Sequence, residues 1–154
     1  FSIENLYIAS DAKLLAYNKK SRELIWKISL ESNIRNMMNS RGFLVLILEN
    51  NKSIAIRDDG KIIWEQELGI VNPQAGYRHL LELNNDDDPR LDGSVLLIVE
   101  DKGISVLESV RGQQLSKITF RGKLQYLSDY DRFDNCFYAV VGDEILCLEL
   151  RILN

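Results

Sequence analysis

The chain repeats one pattern of three short apolar runs separated by turn residues. In the first copy the runs are Leu6–Ala9, Leu14–Tyr17 and Glu23–Ile28, and the breaks between them are rich in Ser, Asp, Asn and Lys. Short runs of aliphatic, aromatic and β-branched residues bounded by such breaks are typical of β-strands. This stretch therefore predicts three strands joined by two turns.

Three further copies of the pattern follow. In the second copy Trp64 stands where Trp26 stood, 38 residues earlier, and Gly60 lies in the turn before it. The third copy keeps a glycine in that turn, Gly112, but has Ser116 in place of the tryptophan. The fourth copy ends before a clear third strand. First strands begin near positions 6, 44, 95 and 137, so the steps are 38, 51 and 42 residues.

The repeat length favours one β architecture. A period near 40 residues with about four strands per unit is typical of a propeller blade. Any all-β domain has strands at short spacing, so a sandwich or barrel is the alternative. The coincident tryptophans and the repeated order of turns favour the propeller. We therefore predict an all-β fold, a β-propeller segment of about three and a half four-stranded blades.

The fourth strand of each blade is expected between the triplets. Its predicted positions are Ile34–Met38, Tyr77–Leu83 and Leu124–Tyr126. The longest step contains a polar loop over residues 84–90, which accounts for its length. All 154 residues are expected to be part of a single propeller domain. Its blades are predicted at about residues 1–33, 34–76, 77–123 and 124–154.

The repeated unit resembles that of the quinoprotein-like (PQQ-repeat-like) β-propellers. In that family a turn glycine precedes a tryptophan that packs between blades. Asp59–Trp64 matches this motif, and Ser21–Trp26 matches it with Arg22 in the place of the glycine. A non-glycine residue then has to make the first turn. The resemblance implies a structural role for Trp26, Trp64, Gly60 and Gly112 and says nothing specific about function. We expect both tryptophans to be buried at equivalent sites in adjacent blades.

Within these propellers, the order of units is similar to the start of the lumenal propeller in the subunit 1 family of the endoplasmic reticulum membrane protein complex. The similarity rests on residues 1–2, 6–26 and 60–68. It implies a non-enzymatic scaffold in a complex that inserts membrane proteins, located in the endoplasmic reticulum lumen. Bacterial outer-membrane assembly lipoproteins and the lumenal sensor of the unfolded-protein response carry the same repeat, and these residues do not exclude them.

The charge distribution argues against a nucleic-acid partner, and the hydropathy argues against a membrane-spanning segment. The net charge is −4, the 19 basic residues do not cluster, and no aromatic–basic RNA motif is present, so no nucleic-acid surface is expected. The longest apolar run, Phe43–Leu48, is far too short to cross a bilayer. Because the chain starts at Phe1 rather than Met, we expect a processed or excised piece of a longer protein.

An incomplete ring of blades predicts association with other protein. Three and a half blades, against about 4–8 in a closed ring, leave unpaired strand edges and uncovered blade faces. We expect the remainder of the same propeller, or other protein subunits, to close the ring. The fourth unit is rich in apolar residues that suit such a contact: Phe137, Tyr138, Val140, Ile145, Leu148, Leu150, Ile152 and Leu153.

No set of residues predicts catalysis, a cofactor or a metal. Cys136 and Cys147 are read as two buried free thiols rather than a disulfide, although their pairing stays open. His79 is the only histidine and is read as structural. Asp86–Asp88 lacks the ligand spacing of a calcium loop and is read as solvated. Trp26 and Trp64 recur at the same place in the repeat, which favours a packing role over stacking on a quinone.

Asn51 is a possible glycosylation site. It opens the sequence Asn51-Lys52-Ser53, which fits the acceptor motif for N-linked glycans and lies in a predicted hairpin turn. One such motif leans only slightly towards a lumenal location.

The sequence thus favours a non-enzymatic, lumenal scaffold or interaction propeller. The alternatives are a quinone-dependent enzyme, a cytosolic propeller scaffold of a vesicle-tethering or mitotic complex, which fits the fold equally well, and a lumenal sensor that binds unfolded chains along exposed strand edges.

Overall fold

The computed structural model describes residues 4–40, 42–70, 80–84 and 93–149, without the side chain of Leu80. Within these ranges the chain forms fourteen β-strands and no helix. The strands make four antiparallel sheets, in each of which neighbouring strands follow one another in the chain. This up-and-down order is that of a propeller blade. The prediction of an all-β chain is confirmed.

The first compact unit, Phe1–Leu68, contains two of the sheets. Sheet 1 has three strands and sheet 2 has four. The strands of sheet 1 are β1 (Asn5–Ser10), β2 (Lys13–Asn18) and β3 (Leu24–Ser29). Those of sheet 2 are β4 (Ile34–Ser40), β5 (Phe43–Leu48), β6 (Lys52–Arg57) and β7 (Ile62–Glu67).

A shared core joins sheets 1 and 2. Alternation along β2 turns Leu14 towards sheet 2, where aliphatic side chains of β5 and β6 surround it. Tyr7, Trp26 and Ile28 pack against the same cluster from sheet 1. All six residues of β5 are buried, as expected for a strand that reads as one continuous apolar run.

The second compact unit, Gly69–Asn154, contains the other two sheets. Sheet 3 consists of β8 (Leu80–Asn84), β9 (Ser94–Glu100), β10 (Gly103–Glu108) and β11 (Gln114–Thr119). Sheet 4 has β12 (Leu124–Leu127), β13 (Cys136–Val141) and β14 (Glu144–Glu149).

The core of the second unit lies between sheets 3 and 4. Its sheet 4 members include Leu124, Phe137, Ala139 and Val141, which occupy one face of the sheet. The expectation that Phe137 belongs to an uncovered blade face is wrong, because strand alternation turns it into this core and turns Tyr138 outward. Leu148 is also partly buried there. Residues Leu150, Ile152 and Leu153 lie outside the described residues.

The strands expected between the triplets are present as β4, β8 and β12. Each opens its sheet and pairs with the next strand along the chain. The first part of the predicted strand Tyr77–Leu83 lies outside the described residues. The assignment of the whole chain to one domain, with the blade boundaries given above, stays a prediction.

Candidate interaction surfaces

Three equivalent turns have one residue with a positive φ angle. The angle is 61° at Arg22, 82° at Gly60 and 69° at Gly112, each two residues before the last strand of sheets 1, 2 and 3. Glycine adopts this left-handed conformation freely, whereas in other residues it costs about 1–2 kcal/mol. In the first turn Asn18 compensates in part, because its side-chain oxygen accepts hydrogen bonds from the backbone N–H groups of Lys20 at 2.9 Å and Ser21 at 3.0 Å.

The two tryptophans occupy the same register in their sheets. Trp26 on β3 lies opposite Ala16, and Trp64 on β7 lies opposite Ala55. A β-bulge follows each alanine. Ser116 takes the corresponding place on β11, beside a third bulge. Trp64 is buried, as expected. Trp26 is only half-buried, so the expectation that both tryptophans are buried is met in full only at Trp64.

Trp26 fastens sheet 1 to the β6–β7 turn of sheet 2. Its indole Nε1 donates a hydrogen bond of 2.6 Å to the backbone oxygen of Asp58. The ring covers Gly60, where an added Cβ would approach Trp26 Cδ2 to 3.0 Å. The ring of Tyr7 packs beside the indole at a centroid distance of 5.8 Å, and burial raises the pKa of the Tyr7 hydroxyl. Glycine at position 60 therefore serves both the turn and the close approach of the indole.

A buried carboxylate in sheet 3 is a feature that no pattern in the sequence predicted. The side chain of Glu100 accepts hydrogen bonds from the Ser105 hydroxyl at 2.6 Å and the Gly69 backbone N–H at 3.0 Å. Lys117 Nζ forms an ion pair with it at 2.8 Å. Only 4% of Glu100 is exposed. Burial alone would raise the pKa of this carboxyl, but the Lys117, Ser105 and Gly69 contacts outweigh burial and lower it.

The Glu100 cluster is structural, because these three partners satisfy the carboxylate from within the same unit. It ties the segment at Gly69 to β9, β10 and β11. No local motif indicates it, since Ser105 and Gly69 are 5 and 31 residues away in the chain. A glutamate beside a turn ordinarily points to solvent.

The two cysteines differ in environment. Cys136 is buried and Cys147 is exposed, and neither forms a disulfide. The expectation of two buried thiols is therefore wrong for Cys147, which strand alternation places on the exposed face of β14. Hydrogen bonding to Cys136, with lesser contributions from burial and nearby charge, raises the pKa of the Cys147 thiol to about 11. A thiol with that pKa stays protonated at neutral pH and is a poor nucleophile.

Asn51 lies in the turn between β5 and β6, with a positive φ of 64°. The third residue of its motif, Ser53, is fully buried and donates its hydroxyl to the backbone oxygen of Leu46 at 3.1 Å. Glycosylation at Asn51 stays a prediction.

The structure does not describe all of the residues that the sequence analysis considered as catalytic or metal-binding candidates. His79 and Asp86–Asp88 fall outside the described residues. In the described part of the chain, no group of three or more His, Cys, Asp or Glu side chains is arranged to hold a metal ion. Nor does the described structure contain a helix of the length and apolarity needed to span a membrane.

The outer face of sheet 1 exposes apolar side chains. We call this surface, opposite the core of the first unit, face 1. Leu6 and Ile8 on β1 are 47% and 43% exposed, and their cross-strand partners Tyr17 and Leu15 lie on the same side. Cross-strand partners share a face of the sheet, so these side chains form one patch.

Sheet 4 has a comparable outer face, which we call face 4. Ile145 on β14 is 75% exposed and lies opposite Val140, which in turn lies opposite Tyr126. Tyr138 and Cys147 form the neighbouring cross-strand pair. Sheets 1 and 4, the first and last sheets of the described chain, therefore each have one face packed against a core and one apolar face that is exposed.

Comparison with known proteins identifies the fold. No protein-family model and no curated protein matches the chain. Among solved structures it is similar to BBS1N in complex with ARL6DN, at 16% identity and a TM-score of 0.66, over 94% of this chain and 45% of that one. It is also similar to BamB from Moraxella catarrhalis, at 17% identity and a TM-score of 0.61, over 90% and 44%.

A third similar structure is KlAtg21 in complex with the coiled-coil of AgAtg16. The identity is 11% and the TM-score 0.62, over 93% of this chain and 47% of that one. The chain thus spans a little under half of the length of each of these three proteins. Two of them were solved with protein partners. At such low identity the likeness shows the fold alone, and it confirms a β-propeller segment over a sandwich or barrel.

Proposed function

We propose that this chain is part of a non-enzymatic interaction propeller in which further blades cover face 1 and face 4. One observation carries the proposal: the sheets at both ends of the described chain keep apolar side chains exposed on the side opposite their own core. Burial contributes about 25 cal/mol per Å² of apolar area, so a few hundred Å² on each face favours association by several kcal/mol.

Further propeller blades are the occupant that fits these faces best. A blade presents a twisted, apolar sheet surface of the same kind, and stacked blades bury it as in the two cores described above. The similar structures support this occupant, because each chain is about twice as long as the matched part. The added blades come from the same polypeptide or from another subunit.

Sedimentation of the 154-residue chain tests the proposal. We expect the isolated chain to associate at micromolar concentration. The double variant Ile8→Ser, Ile145→Ser should shift the distribution to monomer, because it places a hydroxyl in the middle of each face. Val110→Ser is the matched control, since Val110 is also an exposed aliphatic residue but belongs to the β10–β11 turn. A monomeric wild-type chain, or equal dissociation by the control, would refute the proposal.

The finer proposal is a lumenal scaffold of the endoplasmic reticulum membrane protein complex that takes part in membrane protein insertion. It is supported by the resemblance on residues 6–26 and 60–68 and by the acceptor motif at Asn51. Protection of the natural protein from protease in sealed microsomes separates this location from the cytosol. Loss of protection without detergent would favour a cytosolic vesicle-tethering or mitotic scaffold instead.

Glycosylation of Asn51 provides a second, independent readout. In a lumenal protein whose acceptor motif is used, peptide N-glycosidase should increase the mobility of the wild type but not of Asn51→Gln. Asn50→Gln is the matched control, because Asn50 precedes the motif and is not an acceptor.

A further inference from the structure

The loop between β12 and β13, residues 128–135, presents an aromatic side chain to solvent. Phe133 is 97% exposed, more than any other large apolar side chain that the structure describes. Single exposed apolar residues are common on protein surfaces, so exposure alone is not evidence of a binding site. Two further features distinguish Phe133: the hydrogen bonds that hold its loop and the groups that surround its side chain.

Hydrogen bonds fix the tip of loop 128–135. Asp131 and Cys136 exchange two backbone hydrogen bonds of 2.9 and 3.2 Å. The carboxylate of Asp131 accepts from the backbone N–H groups of Phe133 at 2.8 Å and Asp134 at 3.3 Å. Asn135 completes the turn with a positive φ of 52°, a conformation that asparagine adopts more readily than most residues. The backbone that carries Phe133 is therefore ordered before any partner binds.

The base of the loop is anchored to the sheet. Ser128 and Tyr138 are joined by a backbone hydrogen bond of 2.9 Å and by a second from the Tyr138 N–H to the Ser128 hydroxyl, also 2.9 Å. The Tyr138 hydroxyl donates to Asp134 at 2.9 Å. On the other side Tyr130 packs on Phe137 of the core, with ring centroids 5.1 Å apart. One aromatic residue of the loop thus points inward as an anchor while Phe133 points outward.

Acidic groups and a shallow cavity surround Phe133. The cavity has a volume of about 480 Å³ and is lined by Ser128, Asp129, Tyr130, Asp131, Arg132, Phe133 and Tyr138. Loop 128–135 has three aspartates against one arginine. Covering these aspartates with the apolar face of a further blade would desolvate charged groups without compensating them, so further blades are a poor occupant for this cavity. Anionic lipid and nucleic acid would be repelled.

We propose that loop 128–135 is a preformed docking element that inserts Phe133 into an apolar pocket of a protein partner with Lys or Arg at the pocket rim. This rests on the proposed interaction function and names the chemistry of one partner. A phenylalanine side chain has only two rotatable bonds and here stands on an ordered backbone, so it loses little conformational entropy on binding, and aromatic anchors in pockets carry much of the energy of protein interfaces. The aspartates supply charge complementarity around the anchor.

Selection of peptides on the 154-residue chain tests the proposal even though the partner is unidentified. The probe is a phage-displayed library of random peptides, and selected peptides are then titrated by fluorescence polarisation. We expect a consensus with a large apolar residue flanked by Lys or Arg. Phe133→Ser should weaken binding by about 30-fold or more, as for an interface hot spot. Asp129→Lys should weaken binding less, with an effect that fades at high salt.

Two controls test for an unspecific surface effect and for loss of folding. Val110→Ser should leave peptide affinity unchanged, because Val110 is an exposed aliphatic residue outside both surfaces, and unfolding of Phe133→Ser should match the wild type because its side chain is solvent-exposed. Asp131→Ala keeps Phe133 but removes the carboxylate that holds the tip, so it should also weaken binding. If Asp131→Ala binds as tightly as the wild type, the preformed loop is refuted.

Other outcomes overturn the proposal directly. These are the selection of no peptide, an acidic consensus, or peptides that bind Phe133→Ser as well as the wild type. Phe133-dependent binding to vesicles of phosphatidylcholine and phosphatidylserine would indicate a membrane surface instead. Loss of peptide binding in Ile145→Ser would assign the peptides to face 4. Failure of the proposed function is seen separately, as a monomeric wild-type chain in sedimentation.

Discussion

Arg22, Gly60 and Gly112 occupy equivalent turns and show what one residue contributes to this repeat. All three have positive φ angles, yet only the glycines adopt them without steric cost. Arg22 is exposed, so no packing contact of its side chain explains its presence in the turn. The turn forms despite this strain because the strands on either side and the Asn18 side chain hold it.

Substitutions at these turn positions should change the stability of the chain in opposite directions. Arg22→Gly should stabilise the chain by up to about 1 kcal/mol, because relief of the left-handed strain exceeds the extra chain entropy of glycine. Gly112→Arg should destabilise by a similar amount. Urea unfolding measures both, and destabilisation by Arg22→Gly would contradict the strain argument.

Trp26 is the residue that links two sheets. Trp26→Ala should destabilise by about 2–4 kcal/mol, somewhat less than loss of a fully buried tryptophan, because the indole is half-buried but hydrogen-bonded to Asp58. Ile25→Ala is the neighbouring control and should cost below about 1 kcal/mol, since Ile25 is exposed. Equal losses in denaturant unfolding would show that the indole does not link the sheets.

At the scale of elements, sheet 3 depends on a charge that it has buried. Glu100 lies at the end of β9 and gathers Gly69, Ser105 and Lys117 from three other segments. A buried carboxylate is tolerated only when hydrogen bonds and an opposite charge compensate its desolvation. An added Cβ at Gly69 would collide with the Glu100 carboxylate, so glycine is needed there for this contact.

The stability of sheet 3 should therefore depend on pH. The folded-state pKa of Glu100 lies below its ordinary value of 4.5, so its stabilising contribution is present above pH 4.5 and is lost as pH falls through the folded-state pKa. Glu100→Gln should cost about 1–3 kcal/mol at neutral pH, and the difference from wild type should shrink as the pH falls below 4.5 and through the folded-state pKa. Exposed Glu144→Gln is the control. A difference that is independent of pH would exclude the charge as its cause.

At the scale of the whole molecule, each compact unit has its own core, and each leaves one apolar sheet face uncovered. The similar structures are propeller proteins whose chains extend well beyond the matched part. These two facts support the proposed association of this chain with further propeller blades.

We expect no quinone binding and no metal requirement. In the described residues no group of metal-ligating side chains is assembled, and Trp26 is engaged by Asp58 and Gly60. A chelator should leave the melting temperature unchanged, and added pyrroloquinoline quinone should not shift it. A stoichiometric quinone in the purified protein, or a chelator-induced fall in melting temperature, would favour the enzyme alternative.

The sequence by itself determined the strands and turns, because apolar runs and turn residues act locally. The strand at Ile34–Met38 follows from the spacing of the strand triplets, and the turn at Arg22 follows from the match to the propeller repeat. Tertiary structure decided which side of each strand is covered: Phe137 is buried and Tyr138 is exposed, although both are aromatic neighbours. It also decided that Glu100 is buried. The residues that cover a sheet face or compensate a buried charge are distant in the chain. A local sequence pattern does not specify which distant segment packs there.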